Sequence, residues 1–182
     1  MGVEFGVLIP TREVVMSGRP ETGPLLAMAE RAEAAGFDSV WIGGSGPTAL
    51  REAARFDAWF PTGPSVEFFA EHFPRVQSAA RAAGRVPDAV TGAAYLTLAL
   101  DANAAAAQTR MDRFLETYYG APAKVIKARQ AGYAGPIEGC VEWIQRWIDA
   151  GARHIALRFA GGDQLAQVDE AATRLLPKLK RR

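Results

Sequence analysis

Short, almost continuously apolar runs alternate along this chain with segments of helical periodicity, and that alternation limits the fold more than any other feature. Val3-Glu4-Phe5-Gly6-Val7-Leu8-Ile9 is a β-branched and aromatic run stopped by Pro10, the pattern of a strand. Its apolar end suits a strand buried on both faces, as in a parallel sheet. A polar, glycine-containing loop follows, and Pro24 then opens a helix at the position where its missing N–H costs nothing. Leu25, Leu26, Met28, Ala29, Ala32 and Ala35 form the apolar stripe of that helix, and Gly36 ends it. Phe37-Asp38-Ser39-Val40-Trp41-Ile42 is a second strand of the same buried kind. Strand, helix and strand in this order predict a parallel sheet with right-handed crossovers.

The pattern continues to the end. Gly43-Gly44-Ser45-Gly46-Pro47 leads into a helix over about 48–55, and Phe56–Phe60 is a short third strand. Ser65 caps a helix that runs to about Ala83, with Pro74 expected to kink or divide it. Residues 89–100 form a long fourth strand, and two or three helices occupy 102–150, with breaks near Gly120 and over 132–136. His154–Ala160 is the last strand, and a closing helix spans 164–180. The count is five strands in a single domain, 1–182.

An ordinary (β/α)₈ barrel needs ~250 residues, more than the 182 present. Five parallel strands are too few to close one. The sheet is therefore expected either to stay open or to be completed by another copy, which points to a homodimer or higher homo-oligomer. Lys and Arg number 21 against 20 Asp and Glu, a net charge of +1, which removes any global case for a nucleic-acid partner. No apolar run approaches a bilayer span, and no targeting signal is visible, so the expected location is the cytoplasm. A lone Cys140 excludes an internal disulfide and a multi-cysteine metal site, and His72 and His154 stand far apart. No metal is expected.

Four places carry candidate chemistry. Gly43, Gly44, Ser45 and Gly46 lie between a strand end and a helix start, where glycines let backbone approach a ligand and free N–H groups meet an anion. This reads either as a phosphate cradle or as a tight βα turn. Gly161 and Gly162 repeat the arrangement after the last strand, with Asp163 read as the cap of the closing helix. Arg158 sits inside an apolar strand, where a guanidinium is costly without a partner. It either lines a ligand pocket or pairs with a core acid such as Asp57 or Glu4. Arg12 follows the first strand's C-terminal end, the side on which parallel sheets bind ligands, though a solvated loop arginine reads as well. His72, His154 and Cys140 read as structural, and Tyr118 and Tyr119 read as interhelix packing or as the cover of a ligand ring. No catalytic triad, paired-carboxylate motif or metal-ligand spacing stands out, and the catalytic residues are unknown. Any chemistry would come from a bound cofactor.

Together these segments resemble a known family. Gly6-Val7-Leu8-Ile9-Pro10-Thr11-Arg12-Glu13, the Gly18-Arg19-Pro20 loop, and Leu26 through Ala35-Gly36-Phe37-Asp38-Ser39-Val40-Trp41 resemble the first βαβ unit of bacterial luciferase-like oxidoreductases. Those are (β/α)₈ barrels that use FMN or the deazaflavin F420. Trp41–Pro47, Ala49-Leu50-Arg51 and Ala53–Pro61 resemble the family's fifth and sixth strands with the helix between. Ala94–Thr97 and Gly151–Gly162 resemble the seventh and eighth. The resemblance implies a partial TIM-barrel-like fold in which Trp41-Ile42 serves as a fused second and fifth strand, and the family's third and fourth strands are missing. It also implies that Gly43, Gly44, Ser45 and Gly46 anchor a cofactor phosphate, while much of the flavin-ring pocket is absent. Two functional readings follow. One is a flavin- or F420-dependent oxidoreductase of monooxygenase type acting on a small organic substrate. The other is a non-catalytic flavin-binding or structural remnant of such a barrel, natural or engineered.

Overall fold

Among the described residues every strand runs parallel to its neighbours, as near-continuous apolar strands separated by helices require. The structure is a computed structural model and describes residues 3–9, 23–42, 58–61, 63–82, 84–86 and 90–179. Its elements are β1 (Glu4–Ile9), α1 (Gly23–Ala34), β2 (Ser39–Ile42), β3 (Ala58–Trp59), α2 (Val66–Ala82), β4 (Thr91–Leu100), α3 (Ala104–Tyr119) and α4 (Ala123–Lys127). After them come β5 (Gly132–Gly135), α5 (Ile137–Asp149), β6 (Ala152–Phe159), α6 (Gln164–Glu170), a π-helical segment Ala171–Leu175, and α7 (Leu176–Leu179).

The strand order is β2-β1-β6-β4-β3, with β5 also paired to β4. Read as a ring, this is the cyclic order of a barrel opened between β2 and β3. β2 stands beside β1, the place of a second strand, and β3 lies at the opposite end of the sheet. Within this chain the sheet stays open among the described residues. All five expected strands are present, and a sixth joins them. β5 pairs with Thr97–Leu100 while β3 pairs with Thr91 and Gly92 on the same long strand. The ten residues of β4 are long enough to hold both.

Alternation along the strands gives the sheet two unlike faces. On the outer face Phe5, Val7, Leu96, Leu98, Ile155, Leu157 and Phe159 are fully buried against α1, α2, α5 and the C-terminal helices. α2 continues through Pro74 without dividing, because Phe69 and Phe73 before the proline and Ala80 after it pack into this one core. On the inner face α3 and α4 bring Ala107, Met111, Phe114, Leu115 and Ile126 against Ala99 and Ala160. Asn103 caps α3 by accepting from the Ala105 and Ala106 N–H groups, and Gly120 ends it at φ +64°. Among the described residues no helix is long and apolar enough to cross a membrane.

Candidate functional site

Because all the strands are parallel, their C-terminal ends share one edge, the edge at which such sheets bind ligands. β2 ends at Ile42, so the Gly43–Gly46 run begins from that edge. β1 alone separates β2 from β6, about 10 Å across two strand spacings. Gly43, Gly44, Ser45, Gly46 and Arg12 themselves lie outside the described residues.

Gly161 and Gly162 follow β6 at the same edge, at φ +61° and +68°. A Cβ on Gly161 would stand 3.4 Å from Arg110 Cγ, and one on Gly162 would stand 3.2 Å from Arg110 Cδ. The room these glycines leave is thus filled by the chain's own arginine. Gln167 ties the turn down: its Nε2 donates to the Gly161 carbonyl (2.6 Å), and its Oε1 accepts from the Leu100 N–H (3.3 Å). Asp163 accepts from the Ala166 N–H at 3.0 Å and caps α6, as its position in the sequence implied. Arg110 also donates to Asp101 (3.1 Å) and to the Leu100 carbonyl (2.8 Å). Bonding from Asn103, then from Arg110, holds the Asp101 carboxyl below its usual range.

Arg158 is the centre of the inner face. It is 0% exposed and stands in register with Thr97 on β4. Thr97 Oγ1 accepts from its Nε (3.2 Å) and Nη2 (2.7 Å), Tyr119 Oη from Nη1 (2.8 Å) and Gln130 Oε1 from Nη2 (3.1 Å). Tyr119 in turn donates to Gln130 Oε1 at 3.2 Å. Four rings surround the guanidinium carbon: Tyr95 at 4.9 Å, Tyr118 at 5.1 Å, Phe114 at 5.2 Å and Tyr119 at 5.4 Å. Burial pushes the Tyr95 phenol well up, and the nearby Arg158 charge only partly opposes this.

Of the two acids that the sequence offered as partners, Asp57 lies outside the described residues, and the backbone of Glu4 belongs to the other end of the sheet. Glu4 stands in register with His154, four residues or ~13 Å along β6 from Arg158. Among the described residues no carboxylate pairs with Arg158. A buried charge costs several kcal/mol in effective desolvation. Its three neutral acceptors and the rings, at ~0.5–2 kcal/mol each, offset part of that. Thr97, Gln130, Tyr95 and Phe114 are not legible as site residues, although Tyr95 and Thr97 do alternate toward the face that Arg158 occupies; Tyr118 and Tyr119 are the two members of the ring set that the sequence singles out.

The remaining candidates are structural. His72 Nδ1 donates to the Phe68 carbonyl at 2.8 Å, and its ring stacks on that of Phe68. Cys140 is fully buried, and burial pushes its thiol far up. Among the described residues no three His, Cys, Asp or Glu side chains come together as a metal-holding group.

Residues 40–154, more than half of the chain, match the family of luciferase-like monooxygenases. The chain belongs to that family. Solved structures agree on the fold of this luciferase-like protein. An F420-dependent secondary alcohol dehydrogenase in complex with an F420-acetone adduct superposes with a TM-score of 0.69 at 12% identity, over 98% of this chain and 99% of that one. DmoA from Hyphomicrobium sulfonivorans gives 0.55 at 16% identity, over 80% and 42%. The coenzyme F420-dependent tetrahydromethanopterin reductase of Methanopyrus kandleri gives 0.54 at 18%, over 78% and 51%. The luciferase-like chain thus spans about half, or less, of the length of these last two. No curated protein matches it in sequence.

The described residues offer no open cradle for a flavin or deazaflavin. Arg110 fills the Gly161–Gly162 turn, and Arg158 is enclosed by its cage.

Proposed function

We propose that this luciferase-like chain is a flavin- or F420-type oxidoreductase module that anchors the phosphate of FMN or F420 at Gly43, Gly44, Ser45 and Gly46 and acts on a small organic substrate. The observation that carries this reading is the family match, which begins at Val40 and so takes in the whole glycine run that follows β2. Arg12, which follows β1, and Gly161 and Gly162, which follow β6, border the same sheet edge in this reading. The whole chain, 1–182, serves as one domain in the cytoplasm. A second copy completes the sheet that opens between β2 and β3, giving a homodimer or higher homo-oligomer.

A second reading is favoured by the closed inner face: a non-catalytic member that keeps a cofactor-binding loop or only the scaffold. Titration with FMN and with F420, followed by cofactor fluorescence and absorbance, separates the two. Binding with turnover supports the enzyme, and binding without turnover supports the second reading. Gly44→Asp places charge and bulk in the anion cradle and is expected to abolish binding. Unchanged affinity in that variant rejects the loop as the phosphate anchor.

A further inference from the structure

Arg158 carries a permanent charge that the described chain surrounds only with neutral groups. A guanidinium has five N–H donors in a planar fork. Nε gives one to Thr97, Nη2 gives two to Thr97 and Gln130, and Nη1 gives one to Tyr119, so one Nη1 proton is left over. Two of the three acceptors hang from the ends of elements. Tyr119 is the last residue of α3, ahead of the left-handed Gly120, and Gln130 lies in the link between α4 and β5. Thr97, in mid-strand, is the fixed member. The cluster also lies toward the C-terminal end of β6 and β4, on the face that a closed barrel would enclose.

We propose that Arg158 is the receptor for the carboxylate of a ligand with a flat apolar body, which enters by displacing Tyr119 and Gln130 from the guanidinium. The exchange replaces two neutral acceptors with one charged, bidentate acceptor, and charge-assisted bonds of this kind are roughly twice as strong as neutral ones. Thr97 keeps its bonds and fixes the fork, while Tyr95, Phe114 and Tyr118 provide flat apolar surface for the ligand body. The assignment does not depend on a cofactor being bound at the glycine run after β2.

Benzoate is the probe, and benzamide, of the same shape but neutral, is its control. Benzoate in the millimolar range is expected to raise the midpoint of thermal unfolding, whereas benzamide is not. Arg158→Met is expected to weaken the benzoate response by at least about tenfold, and Gly44→Asp is expected to keep it. A direct readout on the unaltered protein uses tyrosine labelled with ¹³C at Cζ. Of the four tyrosines, Tyr119 is expected to shift on benzoate addition, and its signal is identified by its loss in Tyr119→Phe. Tyr133, whose hydroxyl donates to the Pro136 carbonyl away from the cage, is expected to stay in place. This readout stands even if Arg158→Met does not fold. An equal response to benzamide, a full benzoate response in Arg158→Met, a response lost in Gly44→Asp but kept in Arg158→Met, or an unmoved Tyr119 signal would each overturn the assignment. A lost response in Gly44→Asp would point to the glycine run and leave the proposed cofactor anchor standing.

Discussion

The same two strands, β4 and β6, make both faces of the central sheet, yet the two faces are built on different principles. On the outer face Leu96, Leu98, Ile155, Leu157 and Phe159 meet helices with apolar side chains alone, and each is fully buried. One residue along, the inner face presents Ala93, Thr97, Ala99 and Ala156, with the Tyr95 ring, around the one charge of Arg158. The outer face gains by removing apolar area from water, ~25 cal/mol per Å². The inner face gives up much of that gain to hold a guanidinium whose bonds must all be made by neutral partners. Stability therefore resides mainly on one side of the sheet, and the capacity to respond to a charged ligand resides on the other.

The comparison is broken most directly by truncating one residue on each face. Leu157→Ala opens a cavity in the outer core and is expected to cost ~2–5 kcal/mol of unfolding free energy, measured by urea denaturation. Its neighbour on the other face is expected to behave differently. Arg158→Met relieves the desolvation of a buried charge while Thr97, Tyr119 and Gln130 lose their donor, and these effects oppose each other. The net change is expected to lie within ~2 kcal/mol of the parent, in either direction. A loss as large as that of Leu157→Ala would mean that the cage is a stabilising core element like any other, and the distinction between the faces would fail.

Legibility in the sequence follows the same division. The outer face could be read because apolar runs, Pro24 at the start of α1 and Gly36 at its end are local signals, and β1, α1 and β2 stand where those signals put them. β5 was missed for a physical reason. Gly132-Tyr133-Ala134-Gly135 has four residues, two of them glycine, and exists as a strand only because β4 extends far enough to pair with it. Backbone grounds alone predict that Pro74 kinks or divides α2, and the shared burial of Phe69, Phe73 and Ala80 keeps the helix undivided. On the inner face one arginine in an apolar strand was a visible anomaly. Its partners were not visible, since Thr97, Tyr119 and Gln130 lie 61, 39 and 28 residues away from it. No local pattern links positions at such separations.

Acid separates the faces more gently. Arg31 on α1 grips Asp169 on α6 with two bonds of 2.7 and 2.6 Å, joining helices that cover the outer face. The Arg31 bond holds the Asp169 carboxyl below its ordinary range, and backbone bonding, with Arg146 and Ser65 for Glu67 and with Lys178 and Arg174 for Glu138, does the same for those two. A carboxyl lowered in the folded state contributes stability above its unfolded pKa, and that contribution is lost as the pH falls through the lowered folded value. The loss is therefore expected below about pH 4, near the unperturbed carboxyl range. These groups are exposed, so the effect is the smallest of the three. Asp169→Asn should flatten the acid limb of stability against pH while leaving the neutral plateau almost unchanged. The Arg158 cage bonds only to neutral acceptors among the described residues, so the Cζ resonances of Tyr95, Tyr118 and Tyr119 should hold still until the whole chain unfolds. If they drift with Asp169 protonation, the inner face is coupled to the helices of the outer layer, and the two faces are one cooperative unit.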